Sequence, residues 1–214
     1  NNTTLSSSSS STTTTIATAK ISKTNKKITA AAPTTSGIDT NSQSAALVCI
    51  EVGVGSGMVL THAANVLQQN GYFLGLDINP EAAKRARKTL EKNQVFMSDV
   101  VVCDLVSPLT NRLKSSVDII IFNPPYVPTP SEEVKQGGLA AAWAGGVKGR
   151  EVLDRLLPSI PTILSDRGVF YLVAVEENDP EDIHRILAKD GFVWKLIARR
   201  QANNEDLRVY RYAR

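Results

Sequence analysis

The sequence has few cysteine, histidine and aromatic residues and contains no long apolar run. Its two cysteines, Cys49 and Cys103, do not suggest a disulfide framework or a zinc site. Both lie in apolar runs typical of strands, so we expect them to be small buried side chains without a chemical role. No segment resembles a transmembrane span or a secretory signal. The sequence therefore predicts neither a metal centre nor a membrane anchor.

Residues 1–46 differ in composition from the rest of the chain. They are mostly Ser, Thr, Ala and Asn and contain no aromatic residue. Such a segment buries too little apolar surface to offset the entropy lost on folding, so we predict a disordered extension. Its Ser/Thr content and the absence of acids before Asp39 also resemble a transit peptide, an alternative that its lack of Arg weakens. Residues 47–214 are long enough to form one domain.

The net charge of +3 comes from the first 46 residues. Four lysines in that segment are opposed by Asp39 alone, and the remainder of the chain has equal numbers of basic and acidic residues. Affinity for nucleic acid depends largely on basic side chains that contact phosphates. A neutral domain therefore disfavours a nucleic-acid partner.

Strand-like and helix-like segments alternate along residues 47–214, which predicts a mostly parallel α/β sheet with helices on both faces. Two closing strand-like segments have little sequence between them, so we expect them to be antiparallel neighbours. The predicted strands are 47–52, 72–77, a segment within 95–105, 117–122, 168–175, 192–200 and 207–212. The predicted helices are 58–69, 80–92, 149–164 with interruptions at its prolines, and 181–189.

A glycine-rich turn follows the first predicted strand. Gly53, Gly55 and Gly57 allow a tight turn and a close approach of the backbone to a ligand. A dinucleotide-binding fingerprint is the alternative, but it requires glycine where this sequence has Met58. Glu51 lies just before the turn, where an acid disfavours a phosphate ligand and favours a cationic one. The turn therefore predicts a site for a positively charged ligand.

Two further acids follow the second and third predicted strands. Asp77 is placed to accept hydrogen bonds from both hydroxyls of a ribose. Asp104 is placed to accept a hydrogen bond from an adenine amine, and Leu105 beside it can cover the ring. Each acid alone can be a helix cap or a loop residue, but with Glu51 all three fall at carboxyl ends of strands. Together they predict a cationic nucleoside without phosphate, which fits S-adenosylmethionine.

The sequence Asn123-Pro124-Pro125-Tyr126 follows an apolar strand directly. The prolines end the strand and stiffen the loop, so the Asn123 amide and the Pro124 carbonyl can both accept hydrogen bonds from one NH2 group. The Tyr126 ring can pack on the plane of that group. A structural proline-rich turn is the alternative. The loop over 123–148 is long enough to form a substrate pocket, with Trp143 as its wall or as a core aromatic.

These motifs resemble those of HemK-type class I methyltransferases. The segments 142–146 (AWAGG) and 149–151 (GRE) are similar to motifs of the eukaryotic and archaeal branch of that family. The resemblance implies a seven-stranded sheet with an antiparallel last strand and S-adenosylmethionine as cofactor. It further implies transfer of a methyl group to the glutamine amide nitrogen of a Gly-Gly-Gln motif in a class I translation release factor. In this reaction Asn123 and the Pro124 carbonyl would hold the target amide, with Pro125 and Tyr126 beside it.

The resemblance also assigns ligand contacts and a partner. The family's cofactor contacts correspond here to Glu51, Gly53, Asp77, Asp104 and Leu105, and we also expect Gly55, Gly57 and Asn123 to contact the cofactor. Eukaryotic members pair with a small zinc-binding activator subunit, so we expect a heterodimer formed through the apolar edge strand at 95–103. We also expect a cytoplasmic location, with the nucleus as a second one. Family members carry a Pro-x-x-Asp-Ser/Thr signature that helps to close the cofactor pocket, and no such signature precedes Leu47 here.

Three other functions remain open at this point. The same motif can present the exocyclic amine of adenine, as in a nucleic-acid adenine methyltransferase, although such an enzyme would need a basic groove or a recognition domain. A protein lysine methyltransferase would use the same site. A binding module that has lost catalysis is the third alternative, which the intact acids and Asn123 argue against.

Overall fold

A single seven-stranded sheet organises the computed structural model, which describes residues 46–136, 140–202 and 205–214. One compact unit takes in all of these residues. The extension predicted over 1–46 lies outside them except for its last position. The strand order is β3-β2-β1-β4-β5-β7-β6, and only β7 runs against the other strands. The predicted fold class and the antiparallel last strand are confirmed.

The elements have the following bounds. The strands are β1 (Val48–Val52), β2 (Tyr72–Asp77), β3 (Ser98–Val102), β4 (Val117–Phe122), β5 (Leu164–Ala174), β6 (Val193–Ala202) and β7 (Glu205–Ala213). The α-helices are α1 (Met58–Val66), α2 (Pro80–Lys92), α3 (Ser131–Gln136), α4 (Glu151–Leu156), α5 (Ile160–Ile163) and α6 (Pro180–Ala188). Short 3-10 turns cover Ser107–Leu109, Ala140–Ala142, Val147–Gly149, Leu157–Ser159 and Glu176–Asn178.

Side chains along the central strands point alternately to the two faces of the sheet. The hydrophobic core therefore consists of two clusters, one on each face. On β1, Cys49 packs with α1 and α2 in one cluster, while Ile50 and Val52 pack in the other cluster with α4, α5 and α6. Successive strand residues point to opposite faces, so a strand buried on both sides needs a continuous apolar run. This explains the unbroken apolar runs at 119–122 in β4 and 169–174 in β5.

Several boundaries differ from the prediction. Helix α1 ends at Val66, because Gln68 and Gln69 adopt left-handed φ angles of 53° and 54° that turn the chain toward β2. Strand β3 lies within the predicted segment 95–105 but begins only at Ser98, since Val95 is 4% exposed and packs in the core with α2 residues. Helix α3 lies in the long loop, where the sequence predicted no element. Trp194 lies on the edge strand β6 and is 43% exposed.

The chain reverses its direction of winding between β1 and β4. Strands β2 and β3 lie on one side of β1, and β4 and β5 lie on the other. Ligands of open α/β sheets bind beyond the carboxyl ends of the strands at such a switch point. Asp77 ends β2 and Asn123 follows β4, so both predicted groups lie at this edge of the sheet. Across 46–136, 140–202 and 205–214, none of the helices has the length and apolarity needed to cross a bilayer.

Candidate active site

A cavity of about 310 Å³ opens at this edge of the sheet. The residues predicted for the cofactor and the acceptor line it side by side. The predicted residues in its wall are Gly53, Gly55, Asp77, Asp104, Leu105, Asn123 and Pro125. Its volume falls at the lower end of the range for small-molecule sites. The structure therefore brings both halves of the predicted site into one crevice.

The glycine turn after β1 needs its glycines for conformation and for space. All three adopt positive φ angles, 66° at Gly53, 53° at Gly55 and 77° at Gly57. A Cβ atom on Gly57 would lie 2.8 Å from the Cα atom of Ala86 in α2. Gly57 is therefore a packing residue beneath the site, where α1 begins against α2, and it does not line the cavity.

Asp77 fastens the glycine turn to the end of β2. One carboxylate oxygen accepts the N–H of Gly55 at 2.9 Å, and the other accepts the N–H of Asn79 at 2.8 Å. These bonds fix the direction of the carboxylate at the cavity wall. Each oxygen keeps a second lone pair, so the pair of oxygens remains able to accept two hydroxyl groups.

Glu51 lies beneath the glycine turn and is 5% exposed. Its carboxylate accepts the N–H of Leu60 at 2.7 Å and thereby caps the first turn of α1. Burial raises the pKa of Glu51 to about 8, the Leu60 N–H opposes that rise, and the nearby charge of Asp77 adds to it. Glu51 does not itself line the cavity, so any effect on a ligand acts through its charge and through the turn.

Asp104 and Leu105 form the opposite wall, where the structure adds residues that sequence reasoning missed. Asp104 forms an ion pair with Arg155 of α4, and both side chains are about half exposed. Leu105 adopts a φ of 53°. Cys103, expected to be a buried side chain without a role, is half-buried and lines the cavity. Its Sγ donates to the Leu105 carbonyl at 3.2 Å.

The acceptor motif, Asn123-Pro124-Pro125-Tyr126, lies partly in the cavity wall and partly outside it. Asn123 is exposed at the end of β4 and lines the cavity with Pro125, while Pro124 is buried. The Tyr126 hydroxyl donates to a carboxylate oxygen of Glu205 at 3.0 Å, and Tyr126 is not among the lining residues. Trp143 is 42% exposed and also lies outside the lining. Stacking by Tyr126 and a wall formed by Trp143 stay predictions.

The lining chemistry fits S-adenosylmethionine. Apolar side chains form most of the wall around Asp77 and Asp104, and among the described lining residues the one positive charge, on Arg155, is paired with Asp104. Two carboxylates suit the hydroxyls, the amine and the positive charge of a cationic nucleoside, whereas a phosphate would meet repulsion. The larger apolar side chains in the lining are Val52, Leu76, Ile78, Leu105, Phe122, Val134 and Val152.

Comparison with known proteins supports this reading. The family described as "Methyltransferase domain" matches residues 43–213. Among solved structures, the E. cuniculi Mtq2-Trm112 complex has a chain that superposes with a TM-score of 0.58 and 23% identity. That alignment covers 78% of this chain and 85% of the other, and shows the fold. The fold and the cavity define a class I methyltransferase that uses S-adenosylmethionine.

Curated relatives are more similar in sequence. Methyltransferase HEMK2 of Mus musculus is 46% identical over 167 residues, which are 78% of each chain. The eRF1 methyltransferase catalytic subunit mtq2 of Schizosaccharomyces pombe is 37% identical over 177 residues, covering 78% of this chain and 76% of the relative. A putative protein N5-glutamine methyltransferase of Methanocaldococcus jannaschii is 32% identical over 160 residues, covering 75% and 78%. The chain belongs to the methyltransferase family that includes these proteins.

The raised pKa of Glu51 predicts that cofactor affinity depends on pH. At pH 7 the buried carboxyl of the ligand-free protein is mostly protonated, because its pKa is about 8. A cationic cofactor favours the carboxylate, so binding releases a proton, and affinity should rise up to about tenfold per pH unit until pH 8. Titration calorimetry in buffers of different ionisation enthalpy measures the released proton directly.

The control is Glu51→Gln, which keeps an oxygen for the Leu60 N–H but cannot ionise. Any pH dependence of affinity that persists in this variant belongs to the cofactor's own amine, and equal pH dependence in parent and variant would refute the assignment to Glu51.

Ionisation of Glu51 also makes the stability of the protein depend on pH. The pKa of Glu51 in the folded protein lies above the value of 4.5 for a free carboxyl. The contribution of its protonation to the free energy of unfolding is therefore full below pH 4.5 and is lost as the pH rises through about 8.

Proposed function

We propose that this protein methylates the side-chain amide nitrogen of the glutamine in the Gly-Gly-Gln segment of a class I translation release factor. The placement of Asn123 in the same cavity as Asp77 carries this proposal, because it brings an amide-binding group to the cofactor site. The names of the fission yeast and archaeal relatives, an eRF1 methyltransferase subunit and an N5-glutamine methyltransferase, support the same acceptor. We propose the cytoplasm as its location, with the nucleus as a second one.

The protein's contribution to this reaction is to hold and direct a weak nucleophile. S-adenosylmethionine supplies an electrophilic methyl group on a sulfonium. The Asn123 side-chain carbonyl and the Pro124 backbone carbonyl accept the two N–H bonds of the glutamine amide, which raises electron density on nitrogen and fixes its direction. Alignment of this kind lowers barriers by up to about 7–11 kcal/mol. The proton lost from the methylated amide passes to solvent, so the site needs no dedicated base.

A methylation assay with defined acceptors tests the proposed function. Purified protein is incubated with labelled methyl donor and a recombinant release factor, and peptide mass spectrometry locates the modified residue. We expect one added methyl group on the Gly-Gly-Gln glutamine and none when that glutamine is replaced by alanine. Histone protein and adenine-containing DNA serve as the other acceptors. Modification of a lysine or an adenine with an unmodified release factor would overturn the proposal.

We further propose that a small zinc-binding activator subunit pairs with the edge strand β3. The strand lies at one edge of the sheet, and apolar side chains are exposed at both of its ends: Phe96 (81% exposed) and Met97 (59%) directly precede it, and Val102 (51%) ends it. An exposed strand edge can accept a further strand from another chain. The solved E. cuniculi structure is that of an Mtq2-Trm112 complex, which supports a partner subunit for this chain.

Replacement of Phe96 by aspartate should abolish co-purification with the activator, because a charge would enter the apolar contact. Affinity pull-down from co-expression measures the loss. The matched control is Val193→Asp, which places the same charge at a 71% exposed valine on the opposite edge strand, β6. Equal recovery of the activator with both variants would place the contact elsewhere.

A further inference from the structure

The loop that carries the acceptor motif folds back on itself. We define the acceptor loop as residues 123–136 together with 140–150. Its two halves run side by side, since the Val127 N–H donates to the Trp143 carbonyl at 3.1 Å and the Gly145 N–H donates to the Val127 carbonyl at 2.9 Å. The Thr129 N–H donates to the Gly146 carbonyl at 3.0 Å. The loop therefore has defined internal structure, and its attachment to the sheet decides where it points.

One buried side chain attaches both halves of the acceptor loop to the end of β5. Asn178 is 1% exposed, and its side-chain oxygen accepts the N–H of Val175 at 2.9 Å. Its side-chain nitrogen donates to the carbonyl of Tyr126 at 2.8 Å and to the carbonyl of Lys148 at 2.9 Å. The amide thus uses its oxygen and both of its hydrogens to join three separate segments of the chain.

The surroundings of Asn178 leave no room for another arrangement. Gly149 has a φ of +66°, and a Cβ atom there would lie 1.9 Å from the Tyr126 carbonyl oxygen and 2.5 Å from the Asn178 side-chain nitrogen. Arg150, which is 5% exposed, donates to the backbone carbonyl of Asn178 at 3.1 Å. Arg150 is itself held by Asp154 at 2.6 Å and Asp182 at 3.2 Å. Both the backbone and the side chain of Asn178 are therefore fixed.

Because Asn178 holds the Tyr126 carbonyl, the C-terminal end of the acceptor motif is fixed in position. At the near end, Phe122 is paired in β4 with neighbours on β1 and β5. Only Asn123, Pro124 and Pro125 lie between these two fixed points, and the proline rings set two of the φ angles. Few rotatable bonds remain, so a displacement of Tyr126 must move the Pro124 carbonyl and the Asn123 backbone.

We propose that Asn178 is a positioning residue that sets the direction of the two carbonyl acceptors through the backbone of Tyr126. The acceptor chemistry rests on the proposed function, whereas the attachment of the loop does not. A shift of about 1 Å in a reacting group costs on the order of 10²-fold in rate. Asn178 does not line the cavity, so its loss should lower turnover without changing cofactor affinity.

The decisive variant is Asn178→Asp, which keeps the shape and the acceptor for Val175 but turns an oxygen toward the Tyr126 and Lys148 carbonyls. We expect kcat to fall on the order of 10²-fold, with the dissociation constant of S-adenosylmethionine unchanged. Asn178→Ala should show the same division between kcat and cofactor affinity. The control is Ile163→Val, a buried residue of α5 whose loss of a methyl group lowers stability without touching the acceptor loop.

Hydrogen exchange measured by mass spectrometry tests the attachment without any acceptor. In Asn178→Asp the amides of Val127 and Thr129 should exchange faster, while amides of β1 keep the parent rate. Faster exchange throughout the protein, as expected for Ile163→Val, together with unchanged kcat would overturn the inference. If the parent does not methylate the release factor, the proposed function fails, and the exchange rates alone then decide whether Asn178 holds the loop.

Discussion

Replacing Asn123 by alanine should lower turnover by about 10²–10³-fold while leaving cofactor binding intact, by analogy with the loss of one transition-state hydrogen-bonding group. Asn123 follows β4 and lines the cavity, whereas the other predicted cofactor contacts come from β1, β2 and the segment after β3. Its removal therefore takes away one of two carbonyls that hold the acceptor amide and leaves these other cofactor contacts in place. Steady-state kinetics and titration calorimetry measure the two effects separately.

The matched control is Asn65→Ala, which removes the same side chain from an exposed position on α1. This variant should retain parent turnover. Turnover of Asn123→Ala near the parent level would refute the acceptor role of the motif. A loss of cofactor affinity equal to the loss of turnover would instead assign Asn123 to the cofactor half of the site.

Replacing Asp77 by alanine should weaken cofactor binding by about 10²-fold or more. The carboxylate accepts the Gly55 and Asn79 N–H groups and faces the cavity, so its loss frees the glycine turn and removes the predicted acceptor for the ribose hydroxyls. Hydrogen bonds to charged groups contribute about 1.5–3 kcal/mol each. Two lost ribose contacts are enough to account for the expected change, which equilibrium binding of S-adenosylmethionine measures.

Asp118→Ala provides the control for Asp77→Ala. Asp118 is also a partly buried carboxylate that accepts a backbone N–H, from Val48 at 2.9 Å, and the Ser165 hydroxyl at 2.8 Å. It lies near the start of β4, away from the carboxyl ends of the strands. Its loss should lower thermal stability and leave cofactor affinity unchanged. Similar losses of affinity in both variants would mean that Asp77 acts through folding alone.

Strand endings could be predicted from the sequence because they follow from local patterns. Apolar runs placed β1, β2 and β4, and parallel strands bring their carboxyl ends to one edge, so Glu51, Asp77 and Asp104 were expected to converge there near Asn123. Asp77, Asp104 and Asn123 line one cavity, whereas Glu51 lies beneath the glycine turn and outside the lining. Predictions of this kind need only the period of the sequence and the direction of the strands.

Contacts between distant segments could not be predicted in the same way. The ring of Tyr126 is predicted to pack on the acceptor amide, and no sequence pattern indicates that its hydroxyl donates to Glu205, which is 79 positions away at the start of β7. The partner depends on how the last two strands return to the sheet, and no local pattern encodes that. The same limit applies to Arg155 beside Asp104 and to Asn178 beneath the acceptor loop.

The position of β7 between β5 and β6 has a consequence for synthesis of the protein. Among the described strands, β6 pairs with β7 alone, and β7 is translated after it. Until residues 205–213 leave the ribosome, β6 has no neighbour in the sheet, and the edge of β5 that pairs with β7 presents unpaired backbone N–H and C=O groups. A nascent chain therefore completes this sheet only after residues 205–213 have left the ribosome, and a stop codon before Glu205 would yield an aggregation-prone fragment.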